Sequence, residues 1–191
     1  RRVHPRRCHV IDAVISIVWI AFWVYWLAAA LGAKRRRSGA AFVGVRVRAA
    51  IVLLVFVVVR SPLLRGHSLD IHSAGLQAAG LVLFLLGLAS AVWARIHLGA
   101  NWGTPMSQKV DPELVTSGPY RYVRHPIYSG ILLALTGTAV AVSPEFFIAV
   151  VAAGLYFVYS ATVEERLMAT EFPAEYPVYR ARTRMLIPFV L

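Results

Sequence analysis

Five apolar runs divide the sequence, each bounded by charged or turn-forming residues. Ala13 to Ala33 holds 21 uncharged residues and ends on Lys34-Arg35-Arg36-Arg37; Ile71 to Ala94 holds 24, Pro126 to Pro144 holds 19 and Phe146 to Val163 holds 18. A helix crosses the hydrocarbon of a bilayer with about 20 residues, so all four suit a crossing at modest tilt. Ala49 to Val59 has only 11 uncharged residues. It spans only if Arg46, Arg48 and Arg60 extend it by carrying their charged heads toward the interfaces. The basic start, Arg1 to His9, also fits a secretory signal, but the length of the first run and the basic cluster that closes it are a stop-transfer pattern and predict a retained span. Ser143-Pro144-Glu145 leaves room for nothing but a tight turn between the last two runs, since proline ends one helix and can open the next. The pattern predicts an all-α integral membrane protein with about five transmembrane helices, the fourth and fifth spans forming a tight antiparallel hairpin. Residues 1–191 read as a single membrane domain, in which 1–96 pack and anchor and 97–191 carry the chemistry.

Charge then sets orientation. Lys plus Arg count six in 34–48, four in 95–126 and four after Glu164, against Arg1, Arg2, Arg6, Arg7, Arg60 and Arg65 on the other side. The bias places the C-terminus and the 95–126 loop in the cytoplasm, with the four N-terminal arginines dissenting. A net charge of +11 could suit nucleic acid. The cations lie in short clusters between apolar runs instead of along one polar face, which argues for a lipid bilayer as partner and against nucleic acid. A lone Cys8 excludes an internal disulfide and any multi-cysteine metal motif. Trp19, Trp23 and Trp26 at helical spacing read as lipid or helix packing, and Gly75, Gly80 and Gly87 as points of close helix approach. His67, Asp70 and His72 lack further ligands nearby and are not read as a metal site.

Residues able to do specific chemistry gather in 97–128 and 160–188. The hairpin brings the start of the fourth span and the end of the fifth together, so His125 and Tyr128 are expected near Glu164 and Glu165. Gly118-Pro119-Tyr120-Arg121-Tyr122-Val123-Arg124-His125-Pro126-Ile127-Tyr128 combines a turn, cations, tyrosines and a proline at the first turn of a membrane helix. Taken singly, each such residue could be part of an interfacial belt. Glu164-Glu165 is harder to account for that way: read as the end of a helix near lipid, two carboxylates oppose the macrodipole and lose hydration. They ask for a cation, either Arg121, Arg124 or Arg166 in a structural pair, or the cationic group of a ligand.

Leu114-Val115-Thr116-Ser117-Gly118-Pro119-Tyr120, Arg124-His125-Pro126-Ile127-Tyr128, Glu164-Glu165, Glu175-Tyr176 with Tyr179, and Ile187-Pro188 together resemble the isoprenylcysteine carboxyl methyltransferase family. Asn101-Trp102 looks like the start of that family's cofactor loop. The resemblance covers about residues 97–190, and a wider group with the same pattern includes phospholipid N-methyltransferases. It implies an S-adenosyl-L-methionine site built without a Rossmann sheet, and the chain offers no Gly-x-Gly-x-x-Gly. By the resemblance, Pro112, Glu113, Leu114, Val115, Tyr120, His125, Pro126, Ile127, Tyr128 and Glu164 line the cofactor, and Arg124, His125 and Glu165 are the catalytic set. Glu164 would then meet the cofactor's ammonium, and His125 with nearby backbone N–H groups its carboxylate. Tyr120 and Tyr128 would cover its apolar and cationic parts.

Methyl transfer from a sulfonium needs alignment and exclusion of water more than covalent help. A carboxylate acceptor needs no base at neutral pH, and His125, the group that titrates there, is assigned to the cofactor. That favours carboxyl O-methylation of an isoprenylcysteine-like, lipophilic or lipidated substrate, with phospholipid or other small-molecule N- or S-methylation as the alternative. One position departs from the resembled family. Where isoprenylcysteine methyltransferases carry an arginine four residues before the glutamate, this chain has Ser160, so either Arg121, Arg124 or Arg166 supplies the missing charge beside it or the acceptor is something other than a prenylated cysteine. A non-catalytic scaffold or transporter is the reading from another class; charges gathered at one face instead of mid-depth speak against transport. The tail from Glu171 to Arg184 is expected to fold back over the cofactor as a lid.

Overall fold

A computed structural model of the chain describes residues 7–30, 73–101 and 113–187. Its elements are α1 (Arg7–Ala30), α2 (Ala74–Leu98), a 3-10 turn at Gly99–Asn101, another at Gly118–Arg121, α3 (Pro126–Ala141), a third 3-10 turn at Pro144–Phe146, α4 (Phe147–Glu171) and α5 (Glu175–Arg182). Among the described residues the one departure from helix and turn is an isolated parallel bridge between Val123 and Arg184. The all-helical architecture without a Rossmann sheet is as expected. The second span, at 49–59, and His67, Asp70 and His72 lie outside the described residues.

α2 and α3 make the tightest pair. Gly80 and Gly87 on α2 face Gly137 and Gly130 on α3, in antiparallel order, and the backbones touch where a side chain would stand. A Cβ on Gly80 would lie 2.5 Å from the amide nitrogen of Ala141 and 2.7 Å from the carbonyl of Gly137. One on Gly130 would lie 2.7 Å from both the Ala91 nitrogen and the Gly87 carbonyl. Small residues seven apart on each helix let the axes approach, and Phe84, Ala91, Ala94, Ala134 and Ala141 fill the seam almost without exposure. Gly75, read from sequence as part of this contact, meets only the Ser73 hydroxyl at 3.8 Å.

α1 packs against α2 and reaches α3. Trp19 donates its indole N–H to the Thr138 hydroxyl at 3.2 Å and its ring lies 5.6 Å from that of Phe84, so one tryptophan of the three clasps the pair. Trp23 is exposed, as lipid packing requires. The helix starts earlier than the apolar run and takes in Asp12, which lines a cavity of about 200 Å³ with Ile15, Ser16, Trp19 and the far end of α3.

The fourth and fifth spans do form an antiparallel hairpin, turning through Pro144–Phe146, where the Ser143 hydroxyl caps the Glu145 amide at 3.4 Å. Its packing is looser than that of α2 on α3: Val151, Leu155, Val158 and Tyr159 on α4 are exposed, while Ser160, Ala161 and Glu165 are buried. α2 and the Pro144–Glu171 stretch are long and apolar enough to cross a membrane, and α1 and α3 contribute shorter apolar helices. Because the α2–α3 seam is backbone on backbone, Gly87→Ala is expected to cost about 1–3 kcal/mol or more by overpacking. Gly75→Ala, in open space, should be neutral or gain about 0.5–1 kcal/mol of helix propensity. Thermal unfolding of the two variants in detergent checks the contrast.

Candidate active site

Pro126 opens α3 at its first turn, which leaves His125 as the N-cap and sets Tyr128 one turn in, facing α4. α4 does not end at the acidic pair. It runs on through Glu171, so Glu164 and Glu165 sit inside the helix, and the expected clash with the macrodipole does not arise. Their charge is met from the side instead. Arg124 places Nε 2.7 Å from a Glu165 oxygen, with the two side chains 9% and 5% exposed, and Arg180 of α5 reaches the other Glu165 oxygen at 3.5 Å. The Tyr128 hydroxyl donates to Glu164 at 2.6 Å. His125 lies between the two acids, Nδ1 3.5 Å from Glu164 and Nε2 3.5 Å from Glu165. The second of these is an ion-pair distance without hydrogen-bond geometry, so buried Nε2 has charge nearby and no directed partner.

Aromatic rings close the cluster. His125 stacks on Tyr128 with centroids 5.4 Å apart and planes 5° from parallel, and Tyr128 stacks in turn on Phe157 of α4 at 4.5 Å and 6°. Burial alone would discharge His125, but hydrogen bonding and Coulomb attraction from Glu164 and Glu165 outweigh it and raise its pKa above the ordinary value.

The C-terminal tail folds back onto the cluster, as expected of a lid, and it is tied to the cluster through its backbone. Arg124 donates through its terminal nitrogen to the Thr183 carbonyl at 2.6 Å and more weakly to that of Arg180 at 3.4 Å. The Arg124 and His125 amides donate to the carbonyls of Arg184 at 2.8 Å and Met185 at 3.1 Å. Tyr179 reaches the Tyr120 carbonyl at 2.7 Å. Burial pushes the Tyr120 and Tyr179 hydroxyls well above the usual phenol range, so both remain donors.

The structure therefore brings together Arg124, His125, Pro126, Ile127, Tyr128, Glu164 and Glu165, with Tyr120 buried alongside. Leu114 and Val115 are half-buried on the approach, Glu113 accepts from Asn101 Nδ2 at 2.6 Å, and Pro112 and Trp102 lie outside the described residues. Ser160 is buried one turn before Glu164. Arg121 rests over the Tyr122 ring at 5.1 Å on the exposed side of the turn, and Arg166 is exposed; neither has a described contact that joins it to the cluster. Arg180, Thr183 and Met185 went unnoticed in sequence because their carbonyls, 56 or more residues away, meet the Arg124 guanidinium and the His125 amide, and any residue has a carbonyl. His97 was also missed. Its Nε2 is 2.9 Å from the Ser117 hydroxyl, and its ring presses on Gly118, where a Cβ would come within 2.6 Å and the backbone is left-handed at φ 59°. The one available signal was the glycine, which fits both the close ring and the left-handed turn.

Residues 76–175 match the family model described as phospholipid methyltransferase. The nickel-cobalt-cadmium resistance protein NccN of Alcaligenes xylosoxydans xylosoxydans is 29% identical over 149 residues, covering 75% of this chain and 65% of that protein. Methanethiol S-methyltransferase 1 of Bradyrhizobium diazoefficiens is 33% identical over 93 residues, 49% of this chain and 30% of that one. Among solved structures, the eukaryotic intramembrane Ras methyltransferase, isoprenylcysteine carboxyl methyltransferase, superposes with a TM-score of 0.55 at 22% identity, covering 81% of this chain and 55% of that chain. The chain belongs to the phospholipid methyltransferase family, a membrane methyltransferase family, and it shares the fold of isoprenylcysteine carboxyl methyltransferase. It spans just under two thirds of the NccN length.

Two outcomes test the cluster. Arg124→Ala strands buried Glu165 and should cost about 3–5 kcal/mol, with Arg124→Lys a poor rescue because it cannot serve carboxylate and carbonyl from one fork. His125 has a raised pKa in the folded state, so its contribution to stability is complete below the unfolded value of about 6.5 and fades as pH rises through the folded value. The loss of melting temperature in His125→Gln should therefore be larger at about pH 6 than at about pH 9, measured in one detergent across that range.

Proposed function

We propose that the chain is an S-adenosyl-L-methionine-dependent methyltransferase that acts at the membrane surface on a lipophilic acceptor. The observation that carries this reading is the pair of glutamates inside a membrane helix, treated unequally by their surroundings. Glu165 is 5% exposed and engaged by Arg124 and Arg180; Glu164 is 25% exposed at the same cluster and keeps an accessible edge. The residues fit the cofactor's zwitterionic end. Glu164 suits an ammonium, and His125, its pKa raised beside the two acids and its buried Nε2 lacking a directed partner, suits a carboxylate. The rings of Tyr128 and Tyr120 offer faces for a sulfonium and for apolar parts.

When bound, the cofactor supplies a methyl group already activated by positive sulfur. The work left to the chain is to hold and to exclude water. Arg124 and Glu165, expected from sequence as catalytic, are best read as positioning residues: their pair fixes α4 against the start of α3 and ties down the tail through Thr183. α5 and residues 183–187 then cover the cluster from the aqueous side, while α4 leaves an apolar flank toward lipid from which an acceptor can arrive. The site faces the cytoplasm in this reading, on the charge bias of the loops. In this reading residues 97–191 carry the chemistry and 1–96 pack and anchor it.

Family membership supports the reaction class. Isoprenylcysteine-like carboxyl O-methylation, favoured from sequence, gains no uncommitted arginine among the described residues, since Arg124 is engaged by Glu165, Arg121 and Arg166 stay outside the cluster and Ser160 stands at the family's arginine position. A small thiol, amine or lipid headgroup is an equal candidate in class, and one relative named a methanethiol S-methyltransferase fits that breadth. Glu164→Gln keeps an acceptor for Tyr128 but loses the charge, and should weaken S-adenosylhomocysteine binding by about tenfold or more in calorimetry, with melting temperature little changed. Undiminished affinity would remove Glu164 from the cofactor site.

A further inference from the structure

Along α4, Tyr156, Ser160 and Glu164 recur at four-residue spacing and lie on one stripe that leads to the cluster. Two of the three carry orphans. The Ser160 hydroxyl, in a residue 0% exposed, and the Tyr156 hydroxyl are both buried with no hydrogen-bond partner among the described residues. Other helix hydroxyls behave differently: Thr136, Thr138, Thr162 and Thr170 each donate to the carbonyl four residues back, at 2.8 to 3.1 Å. A buried hydroxyl left unmet is destabilising, which makes an unfilled pair on one stripe informative. Between them on the helix, Phe157 stacks on Tyr128, whose hydroxyl holds Glu164, so the stripe and the cluster share one wall.

We propose that Tyr156 and Ser160 form the acceptor subsite of the enzyme proposed above, and that this subsite takes a neutral thiol on an apolar body in preference to a carboxylate or an amine. The inference rests on that enzymatic reading and names its substrate class. The stripe offers two O–H donors and no cation, and Glu164 and Glu165 stand beside it. A carboxylate would have to leave water for donors too weak to replace a guanidinium, next to charges of its own sign. An amine would arrive as an ammonium, pair with Glu164 and be held in its unreactive form. A thiol comes from lipid uncharged. Its proton is released past the exposed edge of Glu164 to bulk water outside the covered site, the two hydroxyls donate to the sulfur as it gains charge, and that sulfur bonds to the methyl carbon. The bond from that carbon to the cofactor's sulfonium breaks, its electron pair stays on the cofactor sulfur, and two neutral thioethers remain.

The full chain in detergent or vesicles, with decanethiol, decanoate and decylamine as matched acceptors, tests this. Decanethiol should be methylated with a kcat/KM at least about tenfold above the other two, a discrimination within reach of a pocket that matches one polar head. Ser160→Ala and Tyr156→Phe should each raise the KM for decanethiol about three- to tenfold while S-adenosylhomocysteine affinity stays constant. Binding of decyl methyl sulfide to the cofactor-free protein, followed by tryptophan fluorescence, should weaken in parallel. Ser160→Arg should shift preference toward decanoate. Preference for decanoate or decylamine in the unaltered protein, or an unchanged KM and unchanged sulfide binding in both hydroxyl variants, overturns the subsite assignment alone. Failure to bind S-adenosylhomocysteine overturns the enzymatic reading and this one with it.

Discussion

Two adjacent carboxylates that follow four largely apolar turns of one helix have to be neutralised by neighbours, because near lipid an uncompensated charge is costly. The Arg124–Glu165 pair meets that need and organises much else. Arg124 serves three tasks: its guanidinium neutralises Glu165 and caps the Thr183 carbonyl, and its backbone amide zips to Arg184. Remove that pairing and the start of α3, the interior of α4 and the tail lose their common point. Glu164 is then left with Tyr128 and His125 in a setting that is structured without being closed. The unequal treatment of neighbouring glutamates is the electrostatic basis for assigning frame to one and ligand to the other.

A second constraint acts at right angles to the first. The glycine seam between α2 and α3 sets how far α3 projects, and hence where His125 and Tyr128 stand relative to α4. A seam of backbone contacts has no soft side chains to yield, so it holds the N-terminus of α3 firmly. α4 is held more by its polar contacts at the cluster than by apolar burial, since most of its apolar face is exposed. The site is therefore framed by one rigid helix pair and one helix with exposed apolar residues.

The apolar runs, the turn at Ser143-Pro144-Glu145 and the position of His125 beside Pro126 were legible in the linear sequence, because helix length, proline geometry and the hairpin they force are local properties. The same reasoning set His125 and Tyr128 near Glu164 and Glu165. It erred on where α4 ends: the charged pair looked like a stop, yet the helix continues to Glu171 because Arg124, Arg180 and His125 satisfy the carboxylates inside the protein. It marked Gly80 and Gly87 as points of close helix approach but not their partners, Gly137 and Gly130 on α3.

Sequence alone determined that this is a helical membrane chain with an acid, ring and guanidinium motif of a recognisable family, since hydropathy, turn chemistry and motif order are written along one dimension. Which glutamate is engaged by arginine, which hydroxyls lack partners, and that the tail ties to Arg124 by its backbone were decided by the tertiary structure alone. Those depend on distances between residues tens of positions apart, and on carbonyl and amide groups that every residue possesses and no sequence pattern distinguishes.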